Sequence, residues 1–340
     1  MKLLIIGGTI FLGKSLVESA LERGHDPTLF NRGQHNPDFF PEVEKLRGDR
    51  DGGLDALNDR EWDAVIDTCG YFPRIVRQSA QKLANCTGHY TFISSISVYA
   101  DFSTPGTRED AALGQISEED GESADKITNE NYGPLKVRCE EEVEKAFPGR
   151  NLLIRPGLIV GPFDPSDRFT YWPVRVSKGG EMLVPGSPDV RLEIIDVRDL
   201  ADWTIRMIER GKTGPYSATG PNYPLTMETV LATSKKLTDS NVEPIYMDGE
   251  FLKDNEVEPS QLHTWYVPDD EPEWKYAWDI DCSKAQADGL TYRPLETTIS
   301  DTLVWDSTRP TDAPRRTNLA PAKEAELVNL WKSRKLANRN

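Results

Sequence analysis

The stretch IIGGTIFLGKSL, residues 5–16, decides the fold class. Its apolar start, its glycines and its amphipathic end predict a buried strand, a tight turn and the beginning of a helix. Gly7 permits the sharp turn, and Gly13 lets the helix pack closely on the sheet. Such a helix offers backbone N–H groups and the positive end of its dipole to a pyrophosphate. The middle position, where a glycine usually gives a cofactor access to the backbone, is Ile10, so a strand–helix turn without a ligand stays open as the alternative.

Strands and helices alternate after this turn. KLLII and KSLVESALERG are followed by the apolar runs PTLFN, WDAVIDTCG, HYTFISS and NLLIRPGLIVGP, with the helical stretch YGPLKVRCEEEVEKAF between the last two. This alternation is typical of a parallel sheet covered by helices on both faces. We therefore predict an α/β fold, a Rossmann-type doubly wound parallel sheet with a smaller C-terminal substrate lobe.

The predicted domain limits follow a change in composition after residue 162. Residues 1–162 are assigned to the dinucleotide-binding Rossmann domain, to which the chain returns around 190–210. Residues 163–320 are assigned mainly to the substrate-binding lobe, and 321–340 to a C-terminal helix. The acidic segment 101–130 lacks clear periodicity, which favours a surface loop or a lid.

Composition limits the classes of partner. The chain has 340 residues and a net charge of −16, which would repel nucleic-acid phosphates, so no nucleic-acid partner is expected. The four cysteines form no CxxC pair and the four histidines show no metal spacing, which predicts reduced thiols and no metal site. No run approaches 18 apolar residues, and no signal-peptide cleavage site follows the N-terminus, so a cytoplasmic location without membrane contact is the expectation.

The ends of the next strands supply further cofactor candidates. The second strand ends in Asn31-Arg32, where NAD-binding proteins usually carry an acid; an arginine favours the 2′-phosphate of NADP, with a solvated surface arginine as the alternative. Asp49 is placed to accept a hydrogen bond from adenine, unless its segment is a plain turn. The predicted cofactor contacts are Gly7, Gly8, Thr9, Ile10, Phe11, Leu12, Gly13, Asn31, Arg32, Asp49, Arg50, Thr68, Cys69 and Lys136.

The strongest chemical signal is YGPLK, residues 132–136. Proline is tolerated in the first turn of a helix, so Pro134 predicts that Tyr132 lies at or near a helix N-terminus, with Lys136 one turn later. The lysine charge and the helix dipole both lower the pKa of a tyrosine, which suits proton exchange with an alcohol or ketone. YxxxK also occurs by chance, and Tyr132 is then an ordinary packed tyrosine.

A cluster of hydroxyl groups, SSIS, ends the preceding strand. Ser95 is the best candidate to donate a hydrogen bond to a substrate oxygen as charge develops on it, and Ser94 and Ser97 are the fallbacks. Serines at a strand end are otherwise simple turn formers.

Taken together, these motifs resemble the extended short-chain dehydrogenase/reductases, the NAD-dependent epimerase/dehydratase family. The resemblance runs from GGTIFLG through SSISVYA, YGPLK and RPGLIVGP to IDVRDLA, and so covers at least residues 1–205. It implies that Tyr132 is the catalytic acid/base, that Lys136 is its partner and that Ser95 aligns the substrate.

The resemblance also implies that Pro156 and Gly157 flank the nicotinamide. The GGTxFLG form of the turn looks like a subgroup in which the middle position is commonly not glycine.

Two departures argue against a nucleotide-diphosphate sugar. Leu158 stands where such epimerases often carry an asparagine, and Arg191 lies near, but not clearly at, the place of their substrate-binding arginine.

The remaining substrate contacts are assigned to the lobe. For each of them, packing inside the lobe is the alternative. The candidates are Asp167, Arg168, Tyr171 and Trp172 as lining residues, and Trp265, Trp274 and Trp278 as platforms for a sugar ring.

The predicted function is that of an NAD(P)-dependent oxidoreductase of the epimerase/dehydratase type, acting at a secondary alcohol or ketone of a sugar or sugar-like substrate, nucleotide sugars included. An NADPH-dependent ketone or aldehyde reductase is the alternative, and a non-catalytic nucleotide- or RNA-binding relative is the alternative of another class. The cofactor is NADP or NAD, and Arg32 favours NADP. A homodimer is expected by analogy with the fold.

Overall fold

The computed structural model describes residues 1–257, 259–262, 272–310, 312–316 and 319–337. Short strands and helices alternate along these residues. The strands are β1 (Lys2–Ile6), β2 (Asp26–Asn31), β3 (Glu44–Arg47), β4 (Trp62–Asp67), β5 (Thr87–Ile93), β6 (Asn151–Pro156), β7 (Leu158–Val160), β8 (Glu181–Pro185), β9 (Arg191–Leu192), β10 (Ile194–Asp196), β11 (Gly214–Ala218), β12 (Leu225–Thr226) and β13 (Glu243–Met247). The helices are α1 (Phe11–Glu22), α2 (Pro73–Leu83), α3 (Glu118–Ser123), α4 (Asn129–Ala146), α5 (Tyr171–Ser177), α6 (Val197–Glu209), α7 (Met227–Thr238), α8 (Gly249–Asp254), α9 (Pro259–Leu262), α10 (Ser283–Ala287), α11 (Leu295–Ser307) and α12 (Pro321–Ala337).

The chain divides into two compact units. Unit 1 comprises 1–158, 197–220 and 280–291, and unit 2 comprises 159–196, 221–279 and 292–340. Residues 280–291, which the sequence analysis assigned to the lobe, thus belong to unit 1. They are held there by hydrogen bonds such as that from the Tyr216 hydroxyl to Asp288, at 2.8 Å.

Unit 1 is built on one parallel sheet of seven strands in the order β11-β6-β5-β4-β1-β2-β3. Four of the five residues of β1 are buried, as expected for a central strand covered on both faces. The strand order reverses between β1 and β4, and a doubly wound sheet binds ligands beside the carboxyl ends of strands at such a point. The predicted Rossmann-type sheet is confirmed.

Unit 2 contains short strands that pair two by two among its described residues. β7 pairs with β10, β9 with β12 in antiparallel fashion, and β8 with β13 in parallel fashion. Helices α5, α7 and α11 pack on one another, and Trp172 of α5 is fully buried. The predicted C-terminal helix corresponds to α12.

The acidic segment 101–130 is not a continuous loop. It contains α3 and the first residues of α4, and Thr107 forms an isolated bridge with Ile280. Among the described helices, none combines the length and the hydrophobicity that a membrane crossing requires.

Candidate active site

The glycine turn between β1 and α1 has the shape that the sequence predicts. Gly7 has a φ of 111°, which only glycine adopts readily, and a Cβ on Gly13 would lie 2.8 Å from the Gly8 nitrogen. Ile10 is the extended residue before α1, and it is 43% exposed. Its side chain therefore lies at the surface instead of filling the turn. Thr9 and Leu12 are buried.

Two asparagines orient the peptide groups of this turn. Asn31 Nδ2 donates to Gly7 O at 2.8 Å, and Asn36 Nδ2 donates to Thr9 O at 2.8 Å. Because the C=O and N–H of a trans peptide point in opposite directions, these bonds turn the N–H groups of Gly8 and Ile10 away from the asparagines. The N-cap residue of α1, Ile10, makes no side-chain hydrogen bond to the start of the helix, so no cap competes there with an anion. This donor set fits a pyrophosphate.

The carboxyl ends of β2 and β3 bring several polar residues together. Arg32 forms an ion pair with Asp49 at 3.9 Å, and their side chains are 57% and 52% exposed. Arg47, which is exposed at the end of β3, donates to Asn31 Oδ1. Sequence analysis missed Arg47 and Asn36. Arg47 could have been predicted, because it ends the strand expected before Gly48. Asn36 is a lone asparagine in a loop, and nothing in the sequence marks it.

Arg50 is largely enclosed, with 11% of its side chain exposed. Its guanidinium forms a bidentate ion pair with Asp67, at 2.7 Å for each bond, and donates to Ser79 Oγ at 2.7 Å. Desolvation opposes both charges, but mutual attraction outweighs it, which raises the pKa of Arg50 and lowers the pKa of Asp67. The Tyr90 hydroxyl completes the cluster with a 2.9 Å bond to Asp67. The Arg50 side chain thus makes its hydrogen bonds within the protein, and its contact with a cofactor stays a prediction.

The loop after β4 links the glycine turn to α4. Thr68 Oγ1 donates to Ile6 O at 2.8 Å, and Cys69 N donates to Asp67 Oδ1 at 3.1 Å. Burial raises the pKa of the Cys69 thiol, which stays protonated at neutral pH. Gly70 O accepts a hydrogen bond from Lys136 Nζ at 2.8 Å. Thr68 and Cys69 therefore border the predicted cofactor site, and both side chains donate hydrogen bonds to Ile6 O.

Helix α4, which carries YGPLK, begins earlier than predicted. Thr128 and Asn131 form a capping box at its start, and Tyr132 is the fourth helical residue. Pro134 therefore lies inside the helix, and the prediction that it occupies the first turn is wrong. Tyr132 remains in the first turn, where the positive end of the helix dipole still acts.

The serine cluster packs directly against this part of α4. A Cβ on Gly133 would lie 1.9 Å from the carbonyl oxygen of Ser97, so only glycine permits the contact. Ser95 Oγ accepts from Ser97 N at 3.1 Å and donates to Ser97 Oγ at 3.0 Å. Ser94 Oγ is buried without a hydrogen-bond partner among the residues that the structure describes. The contact at Gly133 brings the predicted serines beside the turn of helix that carries Tyr132.

Lys136 is held as a buried cation. Its Nζ donates to Gly70 O at 2.8 Å and to Ile93 O at 2.7 Å, and it lies 4.1 Å from the centre of the Phe92 ring. Burial lowers the pKa of Lys136, while the carbonyls and the ring stabilise its charge. An ammonium group has three N–H donors, so one remains beyond the two carbonyl bonds.

Pro156 and Gly157 lie at the carboxyl end of β6, within the same unit. Pro156 pairs with Ala218 of β11, and a Cβ on Gly157 would lie 2.3 Å from Thr219 Oγ1. All residues predicted to bind cofactor or to act in catalysis thus belong to unit 1, and they lie at or beside the carboxyl edge of its sheet.

The residues predicted to bind substrate belong to unit 2. Asp167 is 2% exposed, and its carboxylate pairs with Arg309 at 2.5 Å, so it packs inside the unit. Trp172 is fully buried and packs likewise. Trp274 is 44% exposed, and Trp265 lies outside the described residues. Within the described part of the chain, no group of His, Cys, Asp and Glu is arranged to hold a metal ion.

Comparison with known proteins gives a family match. The sequence profile of the NAD dependent epimerase/dehydratase family matches residues 3–218. A chloroplast stem-loop binding protein of 41 kDa (b) from Arabidopsis thaliana is 27% identical over 241 residues, which are 65% of this chain. The match spans 59% of that relative's length.

Solved structures show the same fold at low identity. The Bordetella bronchiseptica enzyme WbmH, in complex with NAD+, superposes with a TM-score of 0.66 at 17% identity, over 90% of this chain and 98% of that chain. UDP-glucuronic acid 4-epimerase from Bacillus cereus, in complex with NAD, gives 0.66 at 14% identity, over 90% and 99%. A human epimerase family protein with NADPH gives 0.61 at 17% identity, over 90% and 99%.

Proposed function

The chain belongs to the NAD dependent epimerase/dehydratase family and is an enzyme of that type, and we propose that it acts at a secondary alcohol or ketone of a sugar or sugar-like substrate, with Tyr132 as the acid/base. The observation that carries the proposal is the packing of α4, which holds Lys136 as a cation one turn from Tyr132 and presses Gly133 against the serine turn.

Each residue of this cluster has one task. Lys136 and the start of α4 favour the ionised form of Tyr132, which then removes a proton from a substrate hydroxyl or returns it to a carbonyl oxygen. Ser95, whose hydroxyl donates to Ser97 Oγ in this structure, is proposed to exchange that bond for one to the same oxygen as negative charge develops there. The phenol and the ammonium come from α4 and the hydroxyl from the turn after β5, so the sheet and α4 hold them in place.

The glycine turn is proposed to bind the pyrophosphate of a nicotinamide dinucleotide through the N–H groups of Gly8 and Ile10 and the start of α1. The cofactor, when bound, supplies the hydride transfer. Pro156 and Gly157 are proposed to border its nicotinamide end. The sugar-nucleotide epimerase among the structural neighbours supports a sugar substrate, whereas Leu158 argues against a contact to a substrate phosphate.

The first test replaces the phenol. Tyr132→Phe is expected to lower turnover by about 100- to 10,000-fold, because it removes a positioned acid/base. NADH and NADPH affinities, measured by cofactor fluorescence, should change little. The substrate is found in a panel of sugars, nucleotide sugars and ketones by two readouts. Absorbance at 340 nm reports a net oxidation or reduction, and NMR of the products reports epimerisation or dehydration, in which the hydride is returned and that absorbance does not change. Tyr223→Phe is the matched control, since Tyr223 is 45% exposed and lies in unit 2.

Two results would contradict the proposal. Failure of the wild-type protein to bind either cofactor would exclude the dinucleotide site. Equal turnover by Tyr132→Phe and the wild type would exclude Tyr132 as the acid/base.

The second test concerns the choice of cofactor, which we propose to be NADP. Arg32 and Arg47 both lie at the exposed edge where β2 and β3 end, and a guanidinium binds a 2′-phosphate strongly. Arg32→Ala and Arg47→Ala are each expected to weaken NADPH binding by about 10-fold or more, as for a hydrogen bond to a charged group. NADH binding should stay within about twofold of wild type. Tighter wild-type binding of NADH than of NADPH would instead indicate NAD.

Stem-loop binding is the second candidate function. It is supported by the name of the Arabidopsis thaliana relative, and the net charge of −16 opposes it. Fluorescence anisotropy with an RNA stem-loop at low salt tests it. Binding that weakens steeply as salt is added would favour this candidate, and no binding at low salt would remove it.

A further inference from the structure

Arg155 and Glu140 form a buried ion pair between β6 and α4. Arg155 stands immediately before Pro156 on β6. Glu140 lies one turn after Lys136 on α4. Arg155 Nε donates to Glu140 Oε1 at 3.1 Å and Nη2 donates to Oε2 at 2.7 Å, so the two planar groups meet in a fork that fixes both distance and angle. The two side chains are only 4% and 5% exposed.

The remaining nitrogen of the guanidinium reaches the serine turn, residues 94–99, and the acidic segment that follows it. Arg155 Nη1 donates to the Tyr99 hydroxyl at 3.4 Å and to Glu109 O at 3.1 Å. Tyr99 ends the serine turn, and its hydroxyl is hydrogen-bonded to Ser217 Oγ at 2.6 Å. The Ser217 N–H donates to Glu109 Oε1 at 2.8 Å, which closes the ring of hydrogen bonds. One side chain therefore joins β6, α4, the serine turn and the segment that connects the serine turn to α4.

A buried ion pair is a weak source of stability. Desolvation lowers the pKa of Arg155, but hydrogen bonds and attraction to Glu140 outweigh it and raise that pKa above its usual value. Two apolar side chains of similar volume would stabilise the same contact about as well. They would not hold the two elements at one distance and angle, because dispersion contacts lack the direction of a fork of hydrogen bonds. The distinctive contribution of the pair is therefore geometric.

The elements that Arg155 joins carry the two groups proposed to act on one substrate oxygen. Tyr132 lies on α4, and Ser95 lies in the serine turn. We propose that Arg155 and Glu140 are positioning residues of the proton-transfer site, which hold Tyr132 and Ser95 at a fixed separation; this inference rests on the proposed function. The pair acts through α4 and the serine turn and needs no contact with the substrate. A displacement of about 1 Å between these elements is enough to lower the rate by about 100-fold.

The experiment separates geometry from stability. Arg155→Met/Glu140→Leu replaces the pair by apolar side chains, and its urea midpoint of unfolding is expected to equal or exceed that of the wild type. Turnover on the substrate found in the panel is expected to fall by about 10- to 100-fold, while the NADPH affinity changes little. Amide hydrogen exchange needs no substrate. It should become about 10-fold faster in residues 94–99 and 129–136, as for the loss of a hydrogen bond to a charged group, and stay unchanged in β1.

Arg60→Met/Glu44→Leu is the matched control. This pair is equally close, at 2.7 Å, but its side chains are 39% and 51% exposed. Glu44 begins β3, so the pair lies at the amino edge of the sheet, away from the serine turn and α4. The control should leave turnover and the exchange of both segments unchanged.

Three results decide the inference. Wild-type turnover by Arg155→Met/Glu140→Leu, or unchanged exchange in 94–99 and 129–136, would overturn it. Faster exchange throughout unit 1 together with a lower urea midpoint would also overturn it, because a purely structural role predicts that outcome. Tyr132→Phe judges the proposed function separately: full turnover by that variant removes the acid/base, whereas the exchange rates still show whether the pair holds α4 against the serine turn.

Discussion

Gly133→Ala is expected to reduce turnover by about 100-fold or more. The new methyl group would lie 1.9 Å from the Ser97 carbonyl oxygen and 2.9 Å from its carbonyl carbon. Both are main-chain atoms, so no side-chain rotation relieves the clash, and α4 must move away from the serine turn. Displacing a catalytic group by about 1 Å is enough to cost about two orders of magnitude in rate. Overpacking should also lower stability, by about 1–3 kcal/mol.

The matched control is Gly121→Ala in α3. A Cβ on Gly121 would meet its nearest neighbour, Ile116, at 3.8 Å, which is an ordinary contact. This variant should keep wild-type turnover. Turnover is measured on the substrate found in the substrate panel, and the NADPH affinity reports on the glycine turn, which neither change touches. Wild-type turnover by Gly133→Ala would show that the contact between α4 and the serines does not position Tyr132.

Asp67→Ala is expected to destabilise the protein by about 3–5 kcal/mol. Asp67 is fully buried and accepts two bonds from Arg50 and one from Tyr90. Removing the carboxylate leaves the Arg50 guanidinium buried without its counter-ion, and an uncompensated buried charge strongly lowers the free energy of unfolding. Urea unfolding, followed by tryptophan fluorescence, measures the loss.

Asp51→Ala is the control for this variant. Asp51 pairs with Arg74 at 2.9 Å, but the two side chains are 43% and 37% exposed, so the loss should be below about 1 kcal/mol. An equal loss in Asp67→Ala and Asp51→Ala would contradict a structural role for the buried pair. The double variant Arg50→Met/Asp67→Leu should recover much of the stability, because apolar residues can replace a buried pair.

The pH dependence of stability provides a second signature of Asp67. Its pKa is lower in the folded protein than in the unfolded chain, mainly because attraction to Arg50 outweighs desolvation. The resulting stabilisation is complete above about pH 4, the unfolded value, and is lost as the pH falls through the folded value. Urea unfolding at descending pH should therefore show a steeper acid loss for the wild type than for Asp67→Ala.

The fold was readable because its signals are local. The apolar run of β1, the glycine turn and the spacing of α1 lie within the first 22 residues, and each depends only on near neighbours. The same holds for the apolar runs that form β2, β4, β5 and β6. The sequence analysis placed the start of α4 too late because it relied on Pro134. Thr128 and Asn131 are three residues apart, which is the spacing of a capping box, and they mark the observed start.

The sequence by itself determined the α/β class, the glycine turn and the spacing of Tyr132 and Lys136. Only the tertiary structure decided which polar side chains meet. It buried Arg50 against Asp67, joined Asn36 to the glycine turn and Arg47 to Asn31, and laid Tyr71 over Lys136. The physical reason is that backbone periodicity depends on adjacent residues, whereas the partner of a charged or aromatic side chain depends on which strand ends the sheet brings side by side.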